Sequence, residues 1–245
     1  MEANQNEGYF KKEIPAESEG VNIYRSESPN FEKWICFRNV DKIFIDNTVE
    51  HNKTYYYHAD GLSTEATTDI ASVLNFEDMF LSDETCQLRI RYNPKVSSFK
   101  KTTLEQKTDT IGGQYPYFFR NGNVGYYEIP ISGLISYHMD NEELFIPKEK
   151  IGISGENVPT INLVDYNIAA ERKFKLEVLN WLNNGKPKLF RSPAEGNYIV
   201  RLMNISLSPD DKLGRMIHTF SATGYEVAEL NEENIIKYKL GGAAK

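Results

Sequence analysis

The sequence predicts an α+β fold that is mostly β, with one amphipathic helix beside the strands. Tyrosine (15 residues) and phenylalanine (13) far outnumber tryptophan (2), and such aromatic residues favour strands. Runs such as WICFRNV (residues 34–40) and NYIVRLMNISL (197–207) are rich in β-branched and aromatic residues. Only residues 169–183 carry apolar side chains at helical spacing, which predicts a single flanking helix.

Length, charge and cysteine content limit the class of protein. The chain has 245 residues, enough for one large domain or two small ones. Its net charge of −7 argues against a general nucleic-acid binder, which needs a basic face. Cys36 and Cys86 are too few for a disulfide scaffold, so we expect two reduced, partly buried thiols. We find neither an apolar membrane span nor the apolar segment of a signal peptide, and therefore expect assembly in a cytoplasm without a membrane partner.

The first part of the chain predicts a polar arm followed by a small β region. Residues 1–30 are polar with few apolar anchors, which is typical of an arm. Residues 31–70 predict a β-hairpin region in which WICFRNV and KIFID are neighbouring strands. The phrase DNTVEHNKTYYYHA (46–59) resembles the last strands of fibronectin type III modules. The region is too short for about seven strands, so we expect a remnant of such a module or a look-alike hairpin.

The middle of the chain alternates strand and turn signals. Residues 71–80 and 86–92 are predicted strands around a polar turn. Asn121-Gly122 lies between two apolar-aromatic runs and predicts a hairpin turn there, because both residues tolerate positive φ. Residues 140–167 form a long polar connection, and a loop of this length is usually functional or faces a partner.

The predicted helix and two strands follow. Phe174, Val178, Trp181 and Leu182 form the apolar stripe expected to pack inward, and Gly185 suits the end of the helix. Residues 197–207 and 213–228 are predicted strands joined by a connector at 208–212. Residues 231–245 are expected to form a C-terminal extension with a final strand or helical turn.

A search for catalytic and metal-binding patterns finds none with the required spacing. The four histidines form no HExxH or zinc pattern, and neither a phosphate-binding loop nor a GxSxG elbow is present. Adjacent carboxylates occur at 77–78, 83–84, 142–143 and 210–211, and we interpret them as solvated surface charge rather than glycosidase pairs. We therefore predict a non-enzyme with no catalytic residue, cofactor or metal ligand.

Three phrases carry a family resemblance: IRYNPKVSSFK (90–100), the GLIS-containing segment 107–140, and ERKFKLEVLNWLNNGKPKLFRSPAEGN with its continuation to residue 227. Together they resemble tail and baseplate proteins of tailed bacteriophages. The last block is similar in layout to the ring-forming domain of distal tail proteins. The resemblance implies a tail-tube-like β-sandwich with a flanking helix over residues 71–230, with 140–167 as an insertion. Such domains assemble as homo-oligomeric rings, commonly hexamers.

The resemblance also implies a role and partners. We expect a structural protein of the virion, forming a baseplate or distal-tail ring that joins the tail tube to the hub and fibres. Synthesis and assembly are then expected in the host bacterial cytoplasm. Its partners are expected to be tube, hub, fibre or wedge proteins, with DNA only passing through the lumen. The expected subunit interface comprises Asp140, Glu143, Phe145, Pro147, Ser208, Asp210 and Asp211.

Two alternatives remain open from the residues alone. A carbohydrate- or surface-binding module of adhesin type is suggested by aromatic residues expected to be exposed, namely Tyr55, Tyr56, Tyr57, Tyr115, Tyr117, Tyr126 and Tyr127. A tail-tip cell-wall hydrolase is suggested only by the carboxylate pairs, with Glu77, Asp78, Asp210 and Asp211 as its candidate acids.

Overall fold

The structure is a computed structural model of the chain. It describes residues 2–4, 8–15, 18, 20–40, 43–61, 68–70, 73–108, 117–136, 145–147, 168–210, 214–240 and 242–244.

The described residues form strands and two helices. In chain order these are β1 (Glu2–Asn4), β2 (Tyr9–Glu13), β3 (Val21–Ser26), β4 (Trp34–Val40), β5 (Ile43–Asp46), β6 (Tyr56–Asp60), β7 (Thr68–Ile70), β8 (Met79–Ser82), β9 (Cys86–Ile90), β10 (Tyr92–Val96), β11 (Lys100–Thr108), β12 (Tyr117–Ser136), β13 (Phe145–Pro147), α1 (Ile168–Leu182), β14 (Lys188–Ser192), β15 (Gly196–Asp210), β16 (Gly214–Ala228), α2 (Glu232–Lys237) and β17 (Gly242–Ala244). The coarse prediction of an α+β fold that is mostly β is therefore confirmed.

The largest sheet has nine strands in the order β10-β12-β16-β15-β14-β8-β9-β13, with β11 also paired to β12. β9 and β10 lie near opposite ends of this order, yet only Arg91 separates them in the chain. The sheet must therefore curl until its two ends approach. Gly133 of β12 allows this approach, because a side chain there would collide with Ile90 and lie 3.3 Å from the carbonyl oxygen of Tyr92.

The concave side of this sheet holds the main core, which α1 covers. Ile131 of β12 lies opposite Ala222 of β16, and Gly133 lies opposite Phe220, so alternate residues of both strands point inward. The predicted helix is present as α1. Its four stripe residues are buried in this core: Phe174, Val178, Trp181 and Leu182.

The first residues of the chain form ordered strands, so the predicted arm over residues 1–30 is wrong. β1 pairs with β2 and β2 with β5, while β3 pairs with β4 and β6. Phe10, Val21 and Ile23 are fully buried. A few well-spaced apolar residues anchor these polar strands, because the partner strands supply the rest of the core.

The N-terminal β unit consists of two four-stranded sheets, β1-β2-β5-β17 and β4-β3-β6-β7, over a shared aromatic core that includes Phe10, Phe44 and Tyr57. β4 and β5 follow each other in the chain but lie in different sheets, so the predicted WICFRNV–KIFID pair is wrong. The C-terminal extension forms α2 and then β17, which pairs with β5. The N-terminal sheet is thus completed by the end of the chain, and it is not a short remnant hairpin.

Two predicted connections are also different in the structure. β12 runs unbroken through Asn121-Gly122, so the predicted turn there is wrong. The residues between Arg120 and Gly125 instead lie opposite Leu104 of β11 as a bulge, where the register of the two strands shifts. The polar connection 140–167 includes β13, which pairs with β9, and its other residues lie outside the described part.

Candidate functional site

Four of the seven predicted interface residues are described, and they lie on two strands. Phe145 and Pro147 belong to β13, which pairs with β9 at one end of the large sheet. Ser208 and Asp210 belong to β15, because that strand continues through the predicted connector to Asp210. Ser208 is exposed. Asp140, Glu143 and Asp211 lie outside the described residues, so the structure brings together no complete set of the seven.

β14 lies between β15 and β8 in the large sheet and is buried on both faces. All five of its residues are buried, including a lysine and two other polar side chains. Phe190 faces the core under α1, whereas Leu189 packs in a separate cluster with Ile199 and Leu240. This strand therefore joins the helix side of the large sheet to its opposite side.

A buried ion pair lies on the helix side of β14. Lys188 Nζ is 2.8 Å from Asp83 Oδ2 and 4.2 Å from the centre of the Trp181 ring. Burial disfavours the Asp83 carboxylate, but hydrogen bonds from Lys188 and Thr85 outweigh it and hold the pKa of Asp83 below its usual value. This charged contact adds to the backbone pairing of β14 with β8 and brings both strands into contact with α1.

Arg191 lies on the other face of β14, towards the N-terminal β unit. Its guanidinium donates to the backbone carbonyl of Gly8 and to Gln87 Oε1, and it lies 4.8 Å from the Phe80 ring centre and 5.4 Å from that of Phe76. Burial lowers the pKa of Arg191 to about 9. The contact fixes the first residues of the chain against the large sheet.

A second buried polar network lies inside the N-terminal β unit. Arg25 NH1 donates to Asp46 Oδ2 at 2.7 Å and to Thr48 Oγ1 at 2.5 Å. Tyr57 donates to the same Asp46 oxygen at 2.8 Å. Burial opposes the charge on Asp46, yet Arg25 and the bonds from Thr48 and Tyr57 keep the pKa of Asp46 below its usual value. Next to this network, Asn197 Nδ2 donates to the carbonyls of Thr48 and Val49, which joins β15 to the unit.

Two of the adjacent carboxylates interpreted as surface charge are structural. Asp83 and Asp78 are buried, so their interpretation as solvated charge is wrong. Asp78 pairs with the guanidinium of Arg89 as Asp83 does with Lys188. The local sequence around this turn is polar and gives no indication of the burial, because the cationic partner of Asp83 comes from a distant strand. Among the described residues, no group of three metal-ligating side chains is close enough to hold a metal ion.

The tyrosines proposed as a binding platform are mostly unavailable. Tyr55 and Tyr57 are buried and Tyr56 lies between them on the opposite face, as the alternation of a strand predicts. Burial raises the pKa of Tyr55 to about 12. Tyr126 and Tyr127 are half-buried, Tyr115 lies outside the described residues, and the side chain of Tyr117 is not described. The described tyrosines therefore do not form one continuous binding surface.

A different aromatic recess lies on the outer face of sheet β4-β3-β6-β7. Tyr24, Phe31, Trp34, His58 and Asp60 line this recess, which has a volume of about 400 Å³. The rings of Tyr24 and Trp34 meet edge to face at 5.1 Å, and His58 Nε2 is 2.9 Å from Asp60 Oδ1. None of these five residues is among the site residues predicted from the sequence. Trp34 could have indicated this recess, because it is one of only two tryptophans in the chain and lies at the start of a strand.

The large sheet also has a basic edge, which we define as strands β10 and β11. Both strands pair with β12 on the same side, and no other described strand pairs with either of them. Their exposed cationic residues are Lys95, Lys100, Lys101 and Lys107. Lys100 lies 3.5 Å from Glu128, and Lys101 lies 5.4 Å from the Tyr127 ring centre. Lysines on an open strand edge oppose unselective pairing with other chains.

Comparison with protein-family models and with curated sequences gives no relative. No model of a protein family matches the chain, and no curated protein sequence matches it significantly. Within the described part of the chain, no helix is long and apolar enough to cross a membrane.

Proposed function

We propose that the protein is a non-enzymatic structural component of a bacteriophage tail, a baseplate or distal-tail ring that joins the tail tube to the hub and fibres. One observation carries the proposal. The stretch that resembles distal tail proteins, residues 171–227, contains most of α1, then β14 and the long β15–β16 hairpin, all around one core. These are the parts expected of a tail-tube-like β-sandwich with a flanking helix.

The basic edge supports ring formation. In a closed ring each subunit offers two different surfaces, one to each neighbour. The open backbone of β10 and β11 supplies one such surface, and its lysines favour an acidic counterpart. Asp210 ends β15, and Asp211 follows it in the sequence. We infer that Asp210 and Asp211 of one subunit pair with the basic edge of the next.

The remaining partners follow from the same assembly. Tube, hub, fibre or wedge proteins would bind the two faces of the ring, and DNA would only pass through the lumen. The net charge of −7 suits this role, because an acidic lumen repels phosphate and lets DNA slide.

The oligomeric state tests the proposal directly. Size-exclusion chromatography with light scattering should give a closed oligomer for the wild-type chain, and negative-stain images should show rings. Mass spectrometry should find the protein in purified virions. A strictly monomeric protein that is absent from virions would contradict the proposal.

Charge reversal tests the subunit contact. The triple change Lys95→Glu, Lys100→Glu, Lys101→Glu should dissociate the ring, and added Asp210→Lys and Asp211→Lys should restore it. The matched control is Lys33→Glu, Lys173→Glu, Lys237→Glu, which alters the net charge equally at exposed lysines elsewhere. Equal dissociation by both triple variants would show that net charge, rather than the basic edge, controls assembly.

A further inference from the structure

Trp34 separates two recesses on the surface of the N-terminal β unit. On one side is the aromatic recess already described, and on the other is a polar recess of about 490 Å³. The indole is 46% exposed although it is the first residue of a strand. A large exposed aromatic side chain shared by two adjoining recesses suits a ligand that extends across both.

The backbone next to Trp34 is held in an unusual conformation. Phe31 has φ of 50°, in the left-handed region that a bulky residue rarely adopts. A hydrogen bond from its backbone N–H to the carbonyl of Ser28, at 3.1 Å, closes this turn. The conformation places the Phe31 ring 6.1 Å from the His58 ring, inside the aromatic recess. Such strain persists where the surrounding structure enforces it, and it is frequent in binding sites.

The chemistry of the two recesses favours a sugar chain. The aromatic recess offers ring faces, on which the C–H groups of a pyranose pack, together with the polar pair His58 and Asp60 at its rim. The polar recess offers hydroxyl, amide and carboxylate groups that bind sugar hydroxyls. Its polar side chains include Ser28, Asn231 and Glu232.

The charges of the lining select against anionic ligands. Asp60 lies in the first recess, and the second contains Glu32 and Glu232, together with Glu27, which is paired with Lys53 at 2.6 Å. The cations of the second recess are Lys33 and Arg25, and Arg25 is neutralised by its buried pair with Asp46. A polyanion such as a nucleic acid or an acidic polysaccharide would be repelled.

We propose that the two recesses on either side of Trp34 form a binding cleft for a neutral oligosaccharide. One sugar ring stacks on Trp34, and the His58–Asp60 pair binds hydroxyl groups of the ring in the aromatic recess. The neighbouring sugar lies in the polar recess. This site uses residues apart from the basic edge, so it does not depend on ring formation, and either proposal can fail without the other.

Fluorescence provides the first test, because Trp181 is buried and Trp34 is exposed. The full chain is titrated with cellohexaose, chitohexaose and maltohexaose, and with oligogalacturonate as the anionic probe. At least one neutral hexasaccharide should change the emission of Trp34 saturably, and oligogalacturonate should not. Binding of none of the neutral probes, or stronger binding of oligogalacturonate, would overturn the proposal.

Variants then locate the site by isothermal titration calorimetry. Trp34→Ala should weaken binding about tenfold or more, since it removes an aromatic stacking contact, and Trp34→Phe should retain part of the affinity. Asp60→Asn should weaken binding by removing a charged acceptor. Met203→Ala is the control, because Met203 is also exposed but lies on β15. Unchanged affinity in Trp34→Ala would overturn the proposal, and circular dichroism would verify that each variant is folded.

Discussion

Lys188 and Asp83, which are 105 positions apart in the chain, form an ion pair of 2.8 Å in which both side chains are buried. The pair joins β14 to the turn after β8, and the Trp181 ring of α1 covers Lys188. Asn184, just beyond α1, also bonds to both members of the pair. The segment that resembles distal tail proteins is therefore connected to the preceding hairpin by a contact that needs both charges.

Removal of one partner should be costly. We expect Asp83→Ala to lower the free energy of unfolding by about 3–5 kcal/mol, because it leaves the Lys188 ammonium buried without a counter-charge. Urea unfolding followed by circular dichroism measures the change. Glu84→Ala is the matched control, since it removes a carboxylate whose lysine partners are exposed, and it should leave the free energy of unfolding nearly unchanged. Equal losses in the two variants would contradict a stabilising role of the buried pair.

The same pair predicts how stability depends on pH. The pKa of Asp83 in the folded state lies below its usual value of 3.8, and that of Asp46 is lowered as well. The unfolded chain then binds more protons than the folded chain in this range. The stabilisation is therefore present above about pH 4 and is lost as the pH falls through the folded-state pKa values.

Unfolding experiments at a series of pH values check this dependence. The urea midpoint should be level near neutral pH and should fall below about pH 4. Asp83→Asn should unfold at lower urea overall, but its midpoint should fall less steeply in acid. An acid dependence as steep as that of the wild-type chain would show that Asp83 does not contribute to it.

The sequence predicted elements whose signals are local. Residues 169–183 carry a complete helical stripe, and the two long strands after it alternate regularly, so periodicity alone located them. Asn121-Gly122 also carries a strong local signal for a hairpin turn, but in the structure these residues form a bulge in the pairing of β12 with β11. The distant partners of Asp83 and of β5 have no local signal at all. The aromatic recess was missed for the same reason, because its residues come from three strands and a turn.

The buried network of the N-terminal β unit gives a third prediction. Asp46 accepts hydrogen bonds from Arg25, Thr48 and Tyr57, so Asp46→Ala should lower the free energy of unfolding by about 3–5 kcal/mol. Thr48→Val keeps the ion pair and removes only the hydroxyl, which should cost about 1–3 kcal/mol. Thermal unfolding measures both variants. A smaller loss for Asp46→Ala than for Thr48→Val would contradict the central role of the carboxylate.

The approach of the two ends of the large sheet gives the last prediction. Gly133→Ala should lower the free energy of unfolding by about 1–3 kcal/mol, because the added methyl group collides with Ile90 beside the β9–β10 junction. Gly125→Ala is the control on the same strand, since its nearest neighbours would lie at 3.5 Å or more. If the collision is the cause, Ile90→Ala should cost less in the Gly133→Ala background than in the wild-type chain. Strict additivity of the two changes would mean that β12 and β9 do not meet at Gly133, and that the sheet is less curled than the one-residue link at Arg91 requires.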